Sequence, residues 1–183
     1  MKSRLAMVAA AVLALGAFTT ACTPSRTVKS AGEQVDDSTI TAKVKTQLAR
    51  DSATSAHRID VETFRGDVQL NGFVPSEEMK SEATRVARSV GGVKKVSNNL
   101  KVSEGTRTAG EVVDDTVITA KVKTALATDS KVAAHEVNVE TRDGVVQLAG
   151  FVDSSEEKSQ AGEVAKRIAG VKQVDNQLEV KQR

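Results

Sequence analysis

Between Asp37 and Ala49 the apolar residues Ile40, Val44 and Leu48 fall at every fourth position, marking one stripe of an amphipathic helix. Asp36, Asp37 and Ser38 stand ahead of that stripe, where acidic and capping side chains favour a helix N-terminus. Ile59, Val61 and Thr63 then alternate with polar residues, the period of a half-buried strand. Phe64-Arg65-Gly66-Asp67 reads as a tight turn, after which Val68, Leu70 and Val74 resume the alternation. Pro75-Ser76 opens a second helix, in which Ala83, Val86, Ala87 and Val90 keep helical spacing and which Gly91-Gly92 closes. Val96, Leu100 and Val102 form a last strand. The order helix-strand-strand-helix-strand predicts an α+β unit with both helices on one face of a small sheet.

The whole pattern occurs twice. A shift of about 78 residues lays Asp36–Val102 on Asp114–Val180 without a gap, with roughly 39 of ~67 positions identical. "DDSTITAKVKTQLARDS" returns as "DDTVITAKVKTALATDS", and "VQLNGFV" as "VQLAGFV". In the second copy Asp143-Gly144 is a two-residue hairpin signal, Ser154 and Glu157 suit a capping box, and Gly170 closes the helix. Each copy has about 70 residues, near the lower limit for folding without disulfides or metals. The fold class predicted is therefore two tandem small αββαβ domains.

The N-terminal segment has a different character. Lys2 and Arg4 precede an apolar run of about 14 residues, Leu5–Phe18, and small residues then lead to the single cysteine, Cys22. This is the pattern of a secretory signal peptide over residues 1–21. Thr19-Thr20-Ala21-Cys22 resembles the lipobox of bacterial lipoproteins, with Thr19 where an aliphatic residue is usual. Cleavage after Ala21 without acylation also suits these residues, but a lone thiol in an oxidising compartment favours acylation. The division predicted is signal peptide 1–21, acylated Cys22 and flexible tether 22–34, domain one 35–102, linker 103–112 and domain two 113–181. Removing Lys2 and Arg4 from 26 basic residues leaves 24 against 24 acidic ones. A chain near neutrality with 2% aromatic residues supplies neither a basic face nor stacking platforms for nucleic acid.

The helix Asp36–Leu48, "GDVQLNGFV" at Gly66–Val74 and "GGVKKVSNNLKV" at Gly91–Val102, each with its second copy, resemble the BON domain. The resemblance covers nearly all of the chain after the signal segment. Two copies behind a lipobox-like cysteine are similar to the dual-BON outer-membrane lipoproteins; without acylation, the chain is similar to the osmotically induced periplasmic branch. The resemblance implies an envelope role without catalysis. That role is attachment to phospholipid, with anionic lipid expected, and support of outer-membrane integrity from a lipid-anchored position facing the periplasm. Its alternative is a soluble periplasmic chaperone or protein-interaction module whose partners are outer-membrane or periplasmic proteins.

Candidate chemistry is sparse. His57 and His135 stand at equivalent places before the first strand of each copy, one per domain, too few for a metal constellation or an activated nucleophile. No cofactor, metal or catalytic group is expected. Asn98 and Asn176 fall on the apolar side of the last strand, where a satisfied buried amide is the ordinary reading. Gly72 and Gly150 mark a bulge or close backbone approach in the second strand. Phe73 and Phe151 point away from the apolar set, either covering a helix end or exposed. The outer face of the second copy's first helix carries the sharpest testable difference between the copies, with Val117 in place of Thr39. Val117, Lys121, Lys123 and Thr124 are the candidate contacts to a phospholipid surface. Charge differs too: Asp36–Val102 has 11 basic and 9 acidic residues, Asp114–Val180 has 8 and 12. On net charge the first copy is the better match for anionic lipid. Val112-Val113 replaces Gln34-Val35 beside the junction, which predicts that the copies pack together there.

Overall fold

The computed structural model describes residues 31–54, 59–103, 105 and 108–182. The signal segment, Cys22, most of the tether and His57 lie outside them. Copy one comprises α1 (Ala31–Arg50), β1 (Ile59–Phe64), β2 (Asp67–Val74), α2 (Glu77–Arg88), β3 (Lys95–Asn98) and β4 (Lys101–Val102). Copy two repeats it with α3 (Ala109–Thr128), β5 (Val137–Arg142), β6 (Val145–Val152), α4 (Ser155–Lys166) and β7 (Gln173–Val180), the last strand now continuous. A short 3-10 turn, Ala134–Glu136, precedes β5. In each copy the first two strands are antiparallel and the last lies parallel to the second. The first turn is type I′ in character: Arg65 and Gly66 have φ of 53° and 86°, Asp143 and Gly144 of 56° and 79°.

Two separate cores result. Ile40, Val44 and Leu48 of α1 meet Val61, Val68, Leu70 and Val74 of the sheet and Ala83, Val86 and Ala87 of α2. Ile118, Val122 and Leu126 lead the corresponding cluster in copy two. Each fully buried Val or Leu is worth about 1.5–3 kcal/mol in transfer free energy, which makes these clusters the main apolar contribution to the stability of each unit.

The first helix of each copy begins well before the predicted start. Residues 31–34 of the expected tether and 109–112 of the expected linker are helical. The start of α3 has a clear cause: Thr108 Oγ1 accepts from the Glu111 amide, and the Glu111 carboxylate accepts from the Thr108 amide, a complete capping box. The predicted box at Ser154 and Glu157 is only half formed. Ser154 Oγ accepts from the Glu157 amide, but the Glu157 carboxylate turns to the amides of Ala133 and Asp153.

The earlier start changes the role of Asp37 and Asp115. They sit inside their helices rather than at the N-terminus, and both are buried. Asp37 accepts hydrogen bonds from the Arg65 and Gly66 amides at 2.8 and 2.9 Å. Asp115 does the same for Asp143 and Gly144 at the same distances. One turn further on, Thr41 meets Thr63 and Thr119 meets Thr141, hydroxyl to hydroxyl at 2.7 Å. The first helix is thereby fixed in register against the hairpin by a carboxylate that satisfies two turn amides at once.

The copies do pack together, but not at Val112 and Val113, which are 43% and 60% exposed on α3. They meet through the sheet faces that the helices leave bare. Gln69 exchanges two hydrogen bonds with the backbone of Gly150, at 3.0 and 3.3 Å. Gln147, its twin, accepts from the amide of Gly72 at 2.7 Å and donates to the Asn99 carbonyl. Phe64 and Phe151 stack across the junction with ring centroids 5.4 Å apart. The molecule is thus four layers, helices-sheet-sheet-helices, with a pseudo-twofold axis between the sheets.

Candidate functional site

The outward face of α3 carries the predicted contact residues, all of them exposed. Val117 is 45% exposed and forms a line with Val113, Lys121 and Thr124 at helical spacings of three and four. Lys123 is exposed but stands about 120° round the helix from Val117 at 3.6 residues per turn, so it leaves that row. The Thr124 hydroxyl donates to the Ala120 carbonyl of its own helix at 2.9 Å. Val112 and Val113 add apolar area that the sequence reading assigned to the junction between copies. The signal that would have placed them correctly is the Thr108-x-x-Glu111 pattern, which starts the helix before both valines.

Beside this row runs a groove of about 320 Å³ between α3, the β5–β6 turn and the loop before β7. Val117, Ile118 and Lys121 stand with Glu111, Asp114 and Asp115 on one wall, and Asp143, Gly144, Gly170 and Lys172 form the other. Copy one has the equivalent groove, about 280 Å³, at Thr39, Ile40, Lys43, Gly66, Gly92 and Lys94. Tight backbone approach shapes both: a side chain at Gly92 or Gly170 would press on Ile40 or Ile118. On the helix flank the copy-two groove has the apolar Val117 where its twin has the hydroxyl of Thr39.

The other candidates resolve into structural roles. Asn98 donates to the Lys80 carbonyl and the Thr84 hydroxyl and accepts from the Leu100 amide; Asn176 donates to the Lys158 carbonyl and accepts from Leu178. They are satisfied amides joining the last strand to the second helix. His135 is exposed in the 3-10 turn, its Nε2 4.0 Å from Glu136. Phe151 is taken up by the stack with Phe64, and Phe73 is half-buried. Gly150 has φ of 125°, and a Cβ there would overlap the Glu136 carbonyl oxygen, so close backbone approach is the right reading.

One cluster was not visible in the sequence. Lys181, 7% exposed, places Nζ 2.6 and 2.7 Å from the two carboxylate oxygens of Glu136 and 2.9 Å from Asp153. Burial works against the charge, but the hydrogen bonds from Glu136 and Asp153 and their negative charge outweigh it and hold the ammonium above its ordinary range. Its Nζ also lies 5.9 Å from the Phe64 ring of copy one. Copy one has Ser103, Arg58 and Pro75 at the three equivalent positions, so this ionic tie belongs to copy two alone. Among the described residues, no helix is long and apolar enough to cross a membrane, and no three potential metal ligands converge.

A duplicated αββαβ unit, its sheets back to back and its first helices outermost, defines a class of small two-domain modules. The chain belongs to the BON-domain family, whose BON domain matches residues 36–104 and again 114–182. It is 38% identical to Osmotically-inducible protein Y of Escherichia coli (strain K12) over 98% of this chain and 96% of that protein. It is 35% identical to Outer membrane lipoprotein DolP of Haemophilus influenzae over 80% of this chain and 75% of that one. Among solved structures, CdsD, a structural protein of the type III secretion system of Chlamydia trachomatis, aligns with 79% of this chain at 13% identity and a TM-score of 0.32. The alignment covers 63% of CdsD, less than two thirds of its length. Family membership makes this a non-enzymatic protein of the cell envelope, related to the osmotic-stress branch.

Proposed function

We propose that the chain is a phospholipid-surface module of the outer membrane, held there by acylated Cys22, facing the periplasm and supporting membrane integrity under osmotic stress. The observation that carries this reading is the row Val113–Val117–Lys121 on α3, apolar area standing in solvent beside a cation. Such a row inserts its valines at the level of the headgroups while the lysine meets phosphate. Likeness to an outer-membrane lipoprotein supports the anchor. With an acyl anchor the surface need not bind tightly, because the tether keeps its effective concentration high. Weak contact is then enough to select anionic lipid.

Val117→Glu combined with Lys121→Glu reverses both features on an exposed face, so the expected result is an unchanged unfolding transition and at least about tenfold weaker co-sedimentation with anionic vesicles, one tenfold step being ~1.4 kcal/mol of contact. Equal co-sedimentation of variant and parent removes α3 from the contact.

The likeness to Osmotically-inducible protein Y, which spans nearly the whole of both chains, favours a second reading as a soluble periplasmic chaperone or protein-interaction module. Metabolic labelling with palmitate separates the two. Label that enters the protein and is lost in Cys22→Ser is the expected result; an unlabelled mature chain in the aqueous periplasmic fraction supports the second reading.

A further inference from the structure

The charge difference between the copies finds its use where the two sheets meet. Lys101 Nζ lies 3.2 Å from Asp175, and Lys95 Nζ lies 3.8 Å from Glu179. In both pairs copy one supplies the cation and copy two the anion. Asp175 is only 13% exposed and also accepts from Gln147 at 3.4 Å and from Gln177 at 2.7 Å, so its charge is committed to this junction.

The glutamine-glycine centre of the interface does not discriminate, whereas the Phe64–Phe151 stack at its edge does, since copy two has Arg142 where copy one has Phe64. Gln69 and Gln147 are equivalent residues, and so are Gly72 and Gly150; the glutamine-glycine exchange fits any combination of copies. The charges do not. Lys101 is equivalent to Glu179, Lys95 to Gln173 and Ser97 to Asp175. Applying the same pseudo-twofold contacts to two copy-one faces sets Lys95 against Lys101 twice. Applying them to two copy-two faces sets Glu179 against Asp175 twice. Lys95 and Lys101 are 58% and 45% exposed, so water screens these contacts, but like charges set face to face still weaken a pairing, and such repulsion is how specific pairings exclude wrong partners.

We propose that the opposite charges of the two copies are a pairing code: the bare sheet face of copy one takes a copy-two face and rejects its own kind, within one chain or between two chains. The lipid-contact reading of α3 is independent of this, since that helix lies on the opposite side of its sheet.

The full chain tests it. Lys95→Glu with Lys101→Glu makes both faces acidic, and Asp175→Lys with Glu179→Lys makes both basic. The amides of Gly72 and Gly150 donate across the interface, so their hydrogen exchange reports the junction, while amides bonded within each sheet report folding. In each double variant the two glycine amides are expected to exchange at least tenfold faster, with the within-sheet amides unchanged. Mixing the acidic and basic variants is expected to restore glycine protection and give a 1:1 heterodimer by light scattering. The fourfold variant carrying all the reversals restores protection within a single chain, which guards against a double variant that merely unfolds. Parental exchange rates in the double variants, a mixture that stays monomeric, or a fourfold variant no better protected than the doubles would each overturn the proposal.

Discussion

Gly150→Ala is expected to cost at least about 3 kcal/mol and to lower the thermal midpoint by roughly 6–12 °C in a chain of this size. Two separate effects add there. The backbone holds φ at 125°, a region closed to residues with a Cβ, and the new methyl would occupy the space of the Glu136 carbonyl oxygen. Relief requires β5 to move away from β6, which also pulls Glu136 from Lys181 and the Gly150 amide from Gln69. Gly91→Ala is the control, since nothing lies within 4 Å of the added carbon and its φ is ordinary. Differential scanning calorimetry of both variants checks the expectation; a Gly150→Ala midpoint within about 2 °C of the parent would show that β5 yields without strain.

Asp115→Ala is expected to cost about 3 kcal/mol, and Asp37→Ala a similar amount. Removing either carboxylate strands two turn amides. The Gly144 and Gly66 amides are buried, and each loses a charge-assisted bond that water cannot readily replace. Equilibrium urea unfolding measures the loss. Amide exchange at Gly144 tells whether the hairpin turn in particular has loosened, and slow exchange there together with parental stability would mean that another acceptor takes over.

How much of this could be read from the chain follows from the range of each interaction. Ile40, Val44 and Leu48, the alternation Val61–Thr63 and Val68–Leu70, and the glycine stops are local patterns, and each matches an observed element. The BON resemblance rests on the same local patterns. The failures are nonlocal or hidden behind a misleading local cue. Asp37 and Asp115 look like N-terminal acids because such acids are common there, but their partners are the hairpin turns nearly thirty residues away. The polar residues ahead of each apolar stripe read as tether or linker, although Ser30-x-x-Glu33 and Thr108-x-x-Glu111 are the same cap pattern written twice. Gln69, Asn71 and Gln147 alternate with core residues and so read as a solvent face; the other copy covers them. On the candidate surface the helical wheel exposed Val117 and Lys121 and set Lys123 off their row, but a helix begun too late left Val113 out of it. Lys181 carried no sequence cue at all, because its two carboxylates come from separate loops.

The back-to-back arrangement of the sheets has a geometric consequence. It puts α1 and α3 on opposite outer faces of the molecule, pointing away from each other. A planar bilayer can touch one of them at a time, so duplication here does not double the grip on a single leaflet. What it leaves is a two-sided particle: whichever first helix meets a surface, the other faces the opposite way.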